Sequence, residues 1–175
     1  MAGQEAERVD ILAPLRLFIA LWPTPATRAA MVAAQDALRW PAAARRVAAS
    51  DLHLTLVFIG SVPQGQLGQV TEAARMGSVR VELRLDRLEV WKGATVVLRP
   101  STVPDALADL QRRVVQALQA AGLPFDARPF APHVTLARKA GGITETAVSP
   151  VRWRSTGHVV ALSAGGRYSV IARFA

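Results

Sequence analysis

Apolar and polar positions along the chain switch between the period of a strand and the period of a helix. Short apolar runs predict buried strands, and amphipathic stretches at helical spacing predict the helices between them. Strands are predicted over residues 15–22, 52–59, 79–85, 95–98, 133–138, 159–162 and 168–174, and helices over 25–38, 66–76 and 104–121. This interleaving predicts an α+β fold with antiparallel strand pairs, and the order of elements suggests two similar halves.

Several positions refine these elements. Thr24 followed by Pro25 is typical of a helix start. The strict alternation of residues 79–85 slips at residues 86 and 87, which predicts a bulge there. Gly60 is expected to end the strand over 52–59. Phe58 is expected in the core, because it shares the face of Leu54 and Leu56 by alternation.

The predicted domain organisation is a frayed tail over residues 1–14 and one bilobal domain over residues 15–175. The tail carries Glu5, Glu7 and Asp10 and lacks the apolar stretch of a signal peptide. The longest apolar run near the N-terminus, residues 17–22, is far too short to span a membrane. We therefore expect a soluble cytoplasmic monomer with no membrane partner.

Composition narrows the chemistry. The 175 residues include no cysteine, which excludes disulfides, thiolate catalysis and Fe–S clusters. Lys and Arg number 21 against 13 Asp and Glu, a formal net charge of +8 that favours a polyanionic partner. All the basic residues except Lys92 and Lys139 are arginine, and alanine is abundant. That pattern also fits a bias at the nucleotide level, so the charge alone does not decide the function.

Two of the three histidines begin the same short motif, H-x-T-L, at His53 and at His133. Chance alone would produce this in roughly one sequence in 10,000 of this composition. In a strand, residues i and i+2 share a face, so His53 lies beside Thr55 and His133 beside Thr135. Two such strands facing a cleft would bring together two imidazoles and two hydroxyls.

This set of groups suits displacement at phosphorus. A neutral imidazole can take a proton from the attacking oxygen, and an imidazolium can protonate the leaving oxygen near neutral pH. The hydroxyls can donate to the non-bridging oxygens. This reaction requires one histidine as the acid and the other as the base, and the motifs do not distinguish the two. It needs no metal and no other cofactor. A zinc site is the rival interpretation, but no histidine pair has ligand spacing. His158 lacks the threonine partner and is expected to be structural.

At these residues the chain resembles the two-histidine phosphoesterases, and within them the RNA 2',3'-cyclic phosphodiesterases, also called 2'-5' RNA ligases. The resemblance covers residues 17–21, 51–60 and 132–138, with weaker likeness around Trp91 and in the last strands. It implies a bilobal α+β fold with two antiparallel sheets lining a central cleft and helices outside. It also implies hydrolysis of RNA 2',3'-cyclic phosphate ends to 2'-phosphates, with reversible ATP-independent 2'-5' ligation as the related reaction.

The resemblance also implies residue roles. His53 would be the proton donor and His133 the proton acceptor, while Thr55, Thr135 and Arg138 would contact phosphate. Strict alternation places Arg138 on the face opposite His133, so this role requires a bulge or strand end near residue 137, or a side chain that curls round the edge. The other interpretation of Arg138 is a surface arginine.

Two other functions stay open at this point. One is a two-histidine esterase for small cyclic phosphates, such as a small cyclic nucleotide, or for 2'-5' oligonucleotides, and the other is a non-catalytic protein that binds RNA ends. Trp22, Trp40 and Phe130 could stack on a base or simply pack. The same choice between RNA contact and solvated surface holds for four arginine groups, residues 45–46, 80/84/87, 112–113 and 152/154.

Overall fold

The computed structural model describes residues 13–77, 79–144 and 147–175. In chain order the elements are β1 (Leu15–Leu21), α1 (Pro25–Asp36), β2 (Arg45–Arg46), β3 (Leu54–Val62), α2 (Leu67–Ala73), β4 (Val81–Trp91), β5 (Thr95–Pro100), α3 (Asp105–Ala120), β6 (Val134–Arg138), β7 (Val151–Ser155), β8 (His158–Ala164) and β9 (Arg167–Phe174). The predicted α+β class is confirmed. No helix in these ranges has the length and apolar character needed to cross a membrane.

The strands form one antiparallel sheet in the order β7-β4-β5-β6-β3-β1-β8-β9, with β2 added beside β6. The two predicted antiparallel sheets are its two halves, β7-β4-β5-β6 and β3-β1-β8-β9. Among the described residues, β3 and β6 join the halves through a single register pair, Leu54 with Val134. The halves are therefore linked edge to edge at the two strands that follow the histidines.

The helices cover one face of the sheet, and each long helix reaches across the junction. Helix α1 follows β1 but packs against β7, while α3 follows β5 and packs against β3 as well as β4. The buried side of α3 repeats at helical spacing, as predicted, through Leu107, Leu110, Val114 and Leu118. These residues join buried side chains from both halves in one core, so the halves share their hydrophobic interior.

Two local predictions are confirmed. Thr24 caps α1, since its hydroxyl accepts a hydrogen bond from the backbone N–H of Thr27 at 3.3 Å. On the β4–β5 ladder, Leu85 pairs with Pro100 and Arg87 with Arg99, which leaves residue 86 as the predicted bulge. The freed Asp86 carboxylate accepts hydrogen bonds from Ser101.

Other expectations need correction. Gly60 does not end its strand: it adopts φ +91°, pairs with Leu17, and the strand continues to Val62. Helix α2 is shorter than the predicted 66–76. Strand β7 was not predicted, although its exposed arginines alternate with the buried Trp153. Strand β2 is too short to carry a periodicity. Of the predicted tail, residues 1–12 lie outside the described residues.

A glycine-to-alanine pair tests the packing of the last three strands. A Cβ on Gly157 would lie 1.9 Å from the Phe174 carbonyl oxygen, so the backbone must shift to accept it. We expect Gly157→Ala to lower the free energy of unfolding by about 1–3 kcal/mol. A Cβ on Gly68, in α2, meets nothing within 4 Å, and Gly68→Ala should raise that free energy by about 0.5–1 kcal/mol.

Urea unfolding followed by circular dichroism measures both changes. Equal free energies of unfolding for Gly157→Ala and the parent chain would show that Gly157 is not packed as closely against the Phe174 backbone of β9 as described.

Candidate active site

The two H-x-T-L motifs meet at the junction between the halves. Leu54 and Val134 are fully buried and paired, so their side chains face the helix-covered core. Antiparallel register around this pair sets His53 opposite Thr135 and Thr55 opposite His133. Because side chains alternate across a strand, all four motif side chains lie on the other face, each half-buried. The structure thus brings together the four residues that the motif singles out.

Both imidazoles are oriented in the same way. Nδ1 of His53 lies 2.6 Å from the Asp51 carbonyl oxygen, and Nδ1 of His133 lies 2.8 Å from the Ala131 carbonyl oxygen. A carbonyl only accepts, so each Nδ1 carries a proton and each Nε2 is the nitrogen that can exchange one. In His53 that Nε2 lies 3.1 Å from the Thr55 hydroxyl. A carbonyl two residues upstream therefore fixes the tautomer of both rings.

Aromatic rings surround His53. Trp22 stacks on it with centroids 5.4 Å apart and an angle of 12°, and Phe18 and Tyr168 each lie at 4.9 Å. Of the three aromatic residues considered for base stacking, Trp22 is at the site, whereas Trp40 and Phe130 pack against the main core. Phe18 was not anticipated as a site residue. Its place follows from the β1–β3 pairing, which a sequence does not display.

His133 has a different neighbourhood of aromatic and charged groups. Its ring lies 4.4 Å from Trp91, whose indole N–H donates to Glu89 at 2.8 Å. The same Glu89 oxygen accepts a hydrogen bond from Arg99 at 3.0 Å, and the Arg99 guanidinium lies 5.5 Å from the centre of the Trp91 ring. Glu89 therefore ties Trp91 and Arg99 together beside His133. Neither charged residue was singled out from the sequence.

Burial is the largest cause that lowers the pKa of His53 below its ordinary value of 6.5. The hydrogen bond to the Asp51 carbonyl acts against burial, as does the Asp51 carboxylate. The charges of His133 and Arg138 lower the pKa further. Asp51 is itself buried; an Arg167 nitrogen lies 3.5 Å from its carboxylate, and the Ser50 hydroxyl donates to that carboxylate at 3.4 Å. His53 is thus the imidazole with a carboxylate beside it.

Burial is also the largest cause that lowers the pKa of His133. The bond to the Ala131 carbonyl raises this pKa, and the positive charges of Arg99 and Arg138 lower it. The two imidazoles therefore share desolvation but differ in the charges that shift their pKa: the Asp51 carboxylate raises that of His53, whereas the charges that act on His133 are those of two guanidinium groups.

A bulge in β6 resolves the position of Arg138. Val97 pairs with Thr135 but Val96 pairs with Ala137, so residue 136 is extra on β6. Leu136 and Ala137 are both buried, and Arg138 returns to the face of His133 and Thr135. Its charge lowers the pKa of both histidines. Of the alternatives considered from the sequence, the bulge near residue 137 is the one observed.

A second bulge corrects the expectation for Phe58. Ile19 pairs with Val57 and Ala20 with Thr55, so residue 56 is extra on β3. Leu56 and Val57 both enter the main core, and Phe58 turns to the cluster that holds Phe18 and Tyr168. Phe58 therefore lies on the face of the motif histidines and not beside Leu54 in the core.

His158 is placed as a structural residue would be. It is 2% exposed, its Nε2 lies 2.7 Å from the Ala74 carbonyl oxygen, and its ring stacks on Phe174. Within residues 13–77, 79–144 and 147–175, no three His, Cys, Asp or Glu side chains gather as metal ligands.

Several arginines of the four basic groups form surface ion pairs, including Arg46 with Asp36, Arg112 with Asp109 and Arg154 with Glu82.

Two curated proteins are similar to part of this chain. The RNA 2',3'-cyclic phosphodiesterase of Geobacillus stearothermophilus is 36% identical over 95 residues, which make up 51% of this chain and 30% of that protein. The Escherichia coli K12 protein of the same name is 35% identical over 102 residues, 57% of this chain and 58% of that protein. This chain therefore matches well under two thirds of the length of either relative.

Solved structures match over nearly the whole fold. A crystal structure of a phosphoesterase superposes with a TM-score of 0.80 at 28% identity, over 91% of this chain and 97% of that one. Escherichia coli LigT in its apo form gives 0.79 at 29% identity, over 92% and 96%. LigT has also been solved in complex with 3'-AMP, with a TM-score of 0.79 at 28% identity.

The family assignment follows from these comparisons and the motif pair. The sequence model of the 2'-5' RNA ligase superfamily matches residues 23–158, most of the chain and both H-x-T-L motifs. The chain therefore belongs to the 2'-5' RNA ligase superfamily of two-histidine phosphoesterases.

Proposed function

We propose that this chain hydrolyses the 2',3'-cyclic phosphate at an RNA end and leaves a 2'-phosphate, using His53 and His133 for proton transfer and no metal. The observation that carries the proposal is the matched pair of imidazoles. Each has Nδ1 bound to a carbonyl two residues upstream, and each therefore offers Nε2 as the exchanging nitrogen. The activities named for the curated relatives support the substrate class.

The reaction is an in-line displacement at phosphorus. Nε2 of neutral His133 takes a proton from water as the water oxygen bonds to phosphorus. The bond from phosphorus to the 3' oxygen breaks, and protonated His53 gives its Nε2 proton to that oxygen. The products are a 2'-phosphate and a free 3'-hydroxyl. With an RNA 5'-hydroxyl in place of water, the same steps give 2'-5' ligation without ATP.

The fixed charges favour this division of roles. The Asp51 carboxylate stabilises the protonated form of His53, as an acid requires, and the Arg99 guanidinium disfavours a proton on His133, as a base requires. The residues of the motif alone leave the two roles interchangeable, because the motifs are the same. Their neighbours on β4, β5 and the segment before β3 make them different.

The remaining polar groups of the face act on the phosphate. Thr55 and Thr135 lie opposite the partner histidines, where their hydroxyls can donate to the non-bridging oxygens. Arg138 lies on the same face and adds a guanidinium, which binds phosphate oxygens in a bidentate manner. Charge that develops on these oxygens in the transition state is thus met by fixed donors.

A single assay tests the reaction, its regiochemistry and its need for metal. Purified protein is incubated in EDTA with a short RNA that ends in a 2',3'-cyclic phosphate, and the product end is identified. We expect a 2'-phosphate. His53→Ala and His133→Ala should each lower kcat/KM about 10²–10⁴-fold, because each removes a proton-transfer group.

The control for these variants is His158→Gln, which keeps a side-chain donor for the Ala74 carbonyl and should retain parent activity. Full activity of a His53→Ala/His133→Ala double variant would disprove the proposal. A 3'-phosphate product would keep the histidine pair but reverse the orientation of the substrate. Binding of RNA ends without turnover would favour a non-catalytic binding protein.

The pH profile tests how the fixed charges act on the pKa values of the two histidines. Both imidazole pKa values lie below 6.5, so kcat/KM should follow a bell with its maximum below about pH 6.5. Asp51→Asn removes a charge that raises the His53 pKa, and the alkaline limb should move to lower pH. Arg99→Gln removes a charge that lowers the His133 pKa, and the acidic limb should move to higher pH.

NMR titration of the histidine rings in the same variants identifies the residue behind each limb. Movement of the acidic limb by Asp51→Asn and of the alkaline limb by Arg99→Gln would show that His53 has the lower pKa, which contradicts the expected order of the two values.

A further inference from the structure

Two arginines face each other across the β2–β6 ladder beside the site. Arg45 pairs directly with Arg138, and the next residues pair as Arg46 with Ala137. Like charges directly opposite on antiparallel strands destabilise the pair. Neither Arg45 nor Arg138 has an ion-pair partner among the described residues, whereas Arg46 is paired with Asp36 of α1. An unfavourable, uncompensated pair of cations at this position indicates a binding site for an anion.

Arg45 lies on the same face as the histidines. Cross-strand partners share a face, and the β6 bulge turns Arg138 to the face of His133 and Thr135. Arg46 occupies the other face, since its partner there is a side chain of helix α1. The side chains of the two neighbouring arginines of β2 therefore lie on opposite faces of the sheet, and of these two Arg45 is the one on the face of the histidines.

Arg45 lies at one side of the site and not at its centre. Strands β2 and β3 pair with the same edge of β6: β3 pairs at Val134, and β2 pairs farther along at Ala137 and Arg138. Between them, the Val47 N–H donates to the Leu136 carbonyl at 2.8 Å. Arg138 and its cross-strand partner Arg45 both lie four positions beyond Val134, about 10–13 Å along the strands when the bulge is allowed for. Of the two guanidiniums, Arg138 is the one whose charge perturbs both imidazoles.

We propose that Arg45 binds the phosphodiester that precedes the terminal nucleoside, so that this chain prefers RNA oligonucleotide ends to mononucleoside 2',3'-cyclic phosphates. The terminal nucleoside separates that phosphodiester from the cyclic phosphate, so a cation that binds it must lie away from the histidines, as Arg45 does. Both guanidiniums then hold phosphate, which screens their mutual repulsion. This inference rests on the proposed function and selects between the two enzymatic substrates that the sequence left open.

The test compares two substrates that differ by one phosphodiester, a mononucleoside 2',3'-cyclic phosphate and a dinucleotide with the same cyclic end. The measured quantity is the ratio of kcat/KM for the dinucleotide to that for the mononucleotide. We expect Arg45→Gln to lower this ratio about tenfold, the size of one charge-assisted contact. The dependence of log kcat/KM on log salt for the dinucleotide should weaken by about one unit.

Arg46→Gln is the matched control, since it removes the same charge from the adjacent residue on the opposite face. It should leave the ratio unchanged. Arg45→Gln should unfold at the same or a higher urea concentration than the parent, because it relieves a like-charge pair. Loss of activity with both substrates alike, or an unchanged ratio, would overturn the proposal.

The two proposals fail separately. If the parent chain cleaves neither substrate, the proposed function fails, and the Arg45 site is tested by binding instead. Fluorescence anisotropy then compares a dinucleotide and a mononucleotide that each end in a 2'-phosphate. A dinucleotide preference that Arg45→Gln abolishes would support the site, and equal binding of the two ligands by the parent would refute it.

Discussion

The site depends on one contact, the buried pair of Leu54 and Val134 where β3 meets β6. Both side chains must enter the core, and the period of a strand then forces the flanking histidines and threonines to the other face. A slip of one residue on either strand would bury a histidine and expose a leucine. Core packing thus specifies the relative position of the two imidazoles, with no direct contact between them required.

The two halves bring different surroundings to the same motif. The half with His53 places Phe18, Trp22 and Tyr168 around the ring, and the half with His133 supplies Glu89 and Arg99. One imidazole is desolvated by aromatic carbon near a carboxylate, and the other near guanidinium groups. The asymmetry that acid–base chemistry needs therefore arises outside the motifs.

The motif pair, the antiparallel strands and α3 could be predicted because each depends on a local period. The predicted bulge at residue 86 is observed because the hydrophobic phase slips there. The bulges at residues 56 and 136 leave no such slip, since each adds a second buried apolar residue to a run that is already apolar. For that reason Phe58 was placed on the wrong face and Arg138 stayed ambiguous.

Other parts of the site depend on pairings between distant segments. Phe18 and Tyr168 reach His53 only because β1 lies between β3 and β8. Arg99 reaches His133 only because β5 lies beside β6. No spacing within one segment records these neighbours. The expected monomer, the cytoplasmic location and the tail over residues 1–14 stay predictions.

The crossing of the two long helices has a consequence for how the chain folds. Helix α1 is made early but packs on β7, near the other end of the chain, while α3 reaches back to β3. The N-terminal half therefore cannot bury its own apolar surface until the C-terminal half has been synthesised. Such sequence-distant contacts slow folding, and they make the two similar halves one cooperative unit that cannot be divided into separately folding fragments.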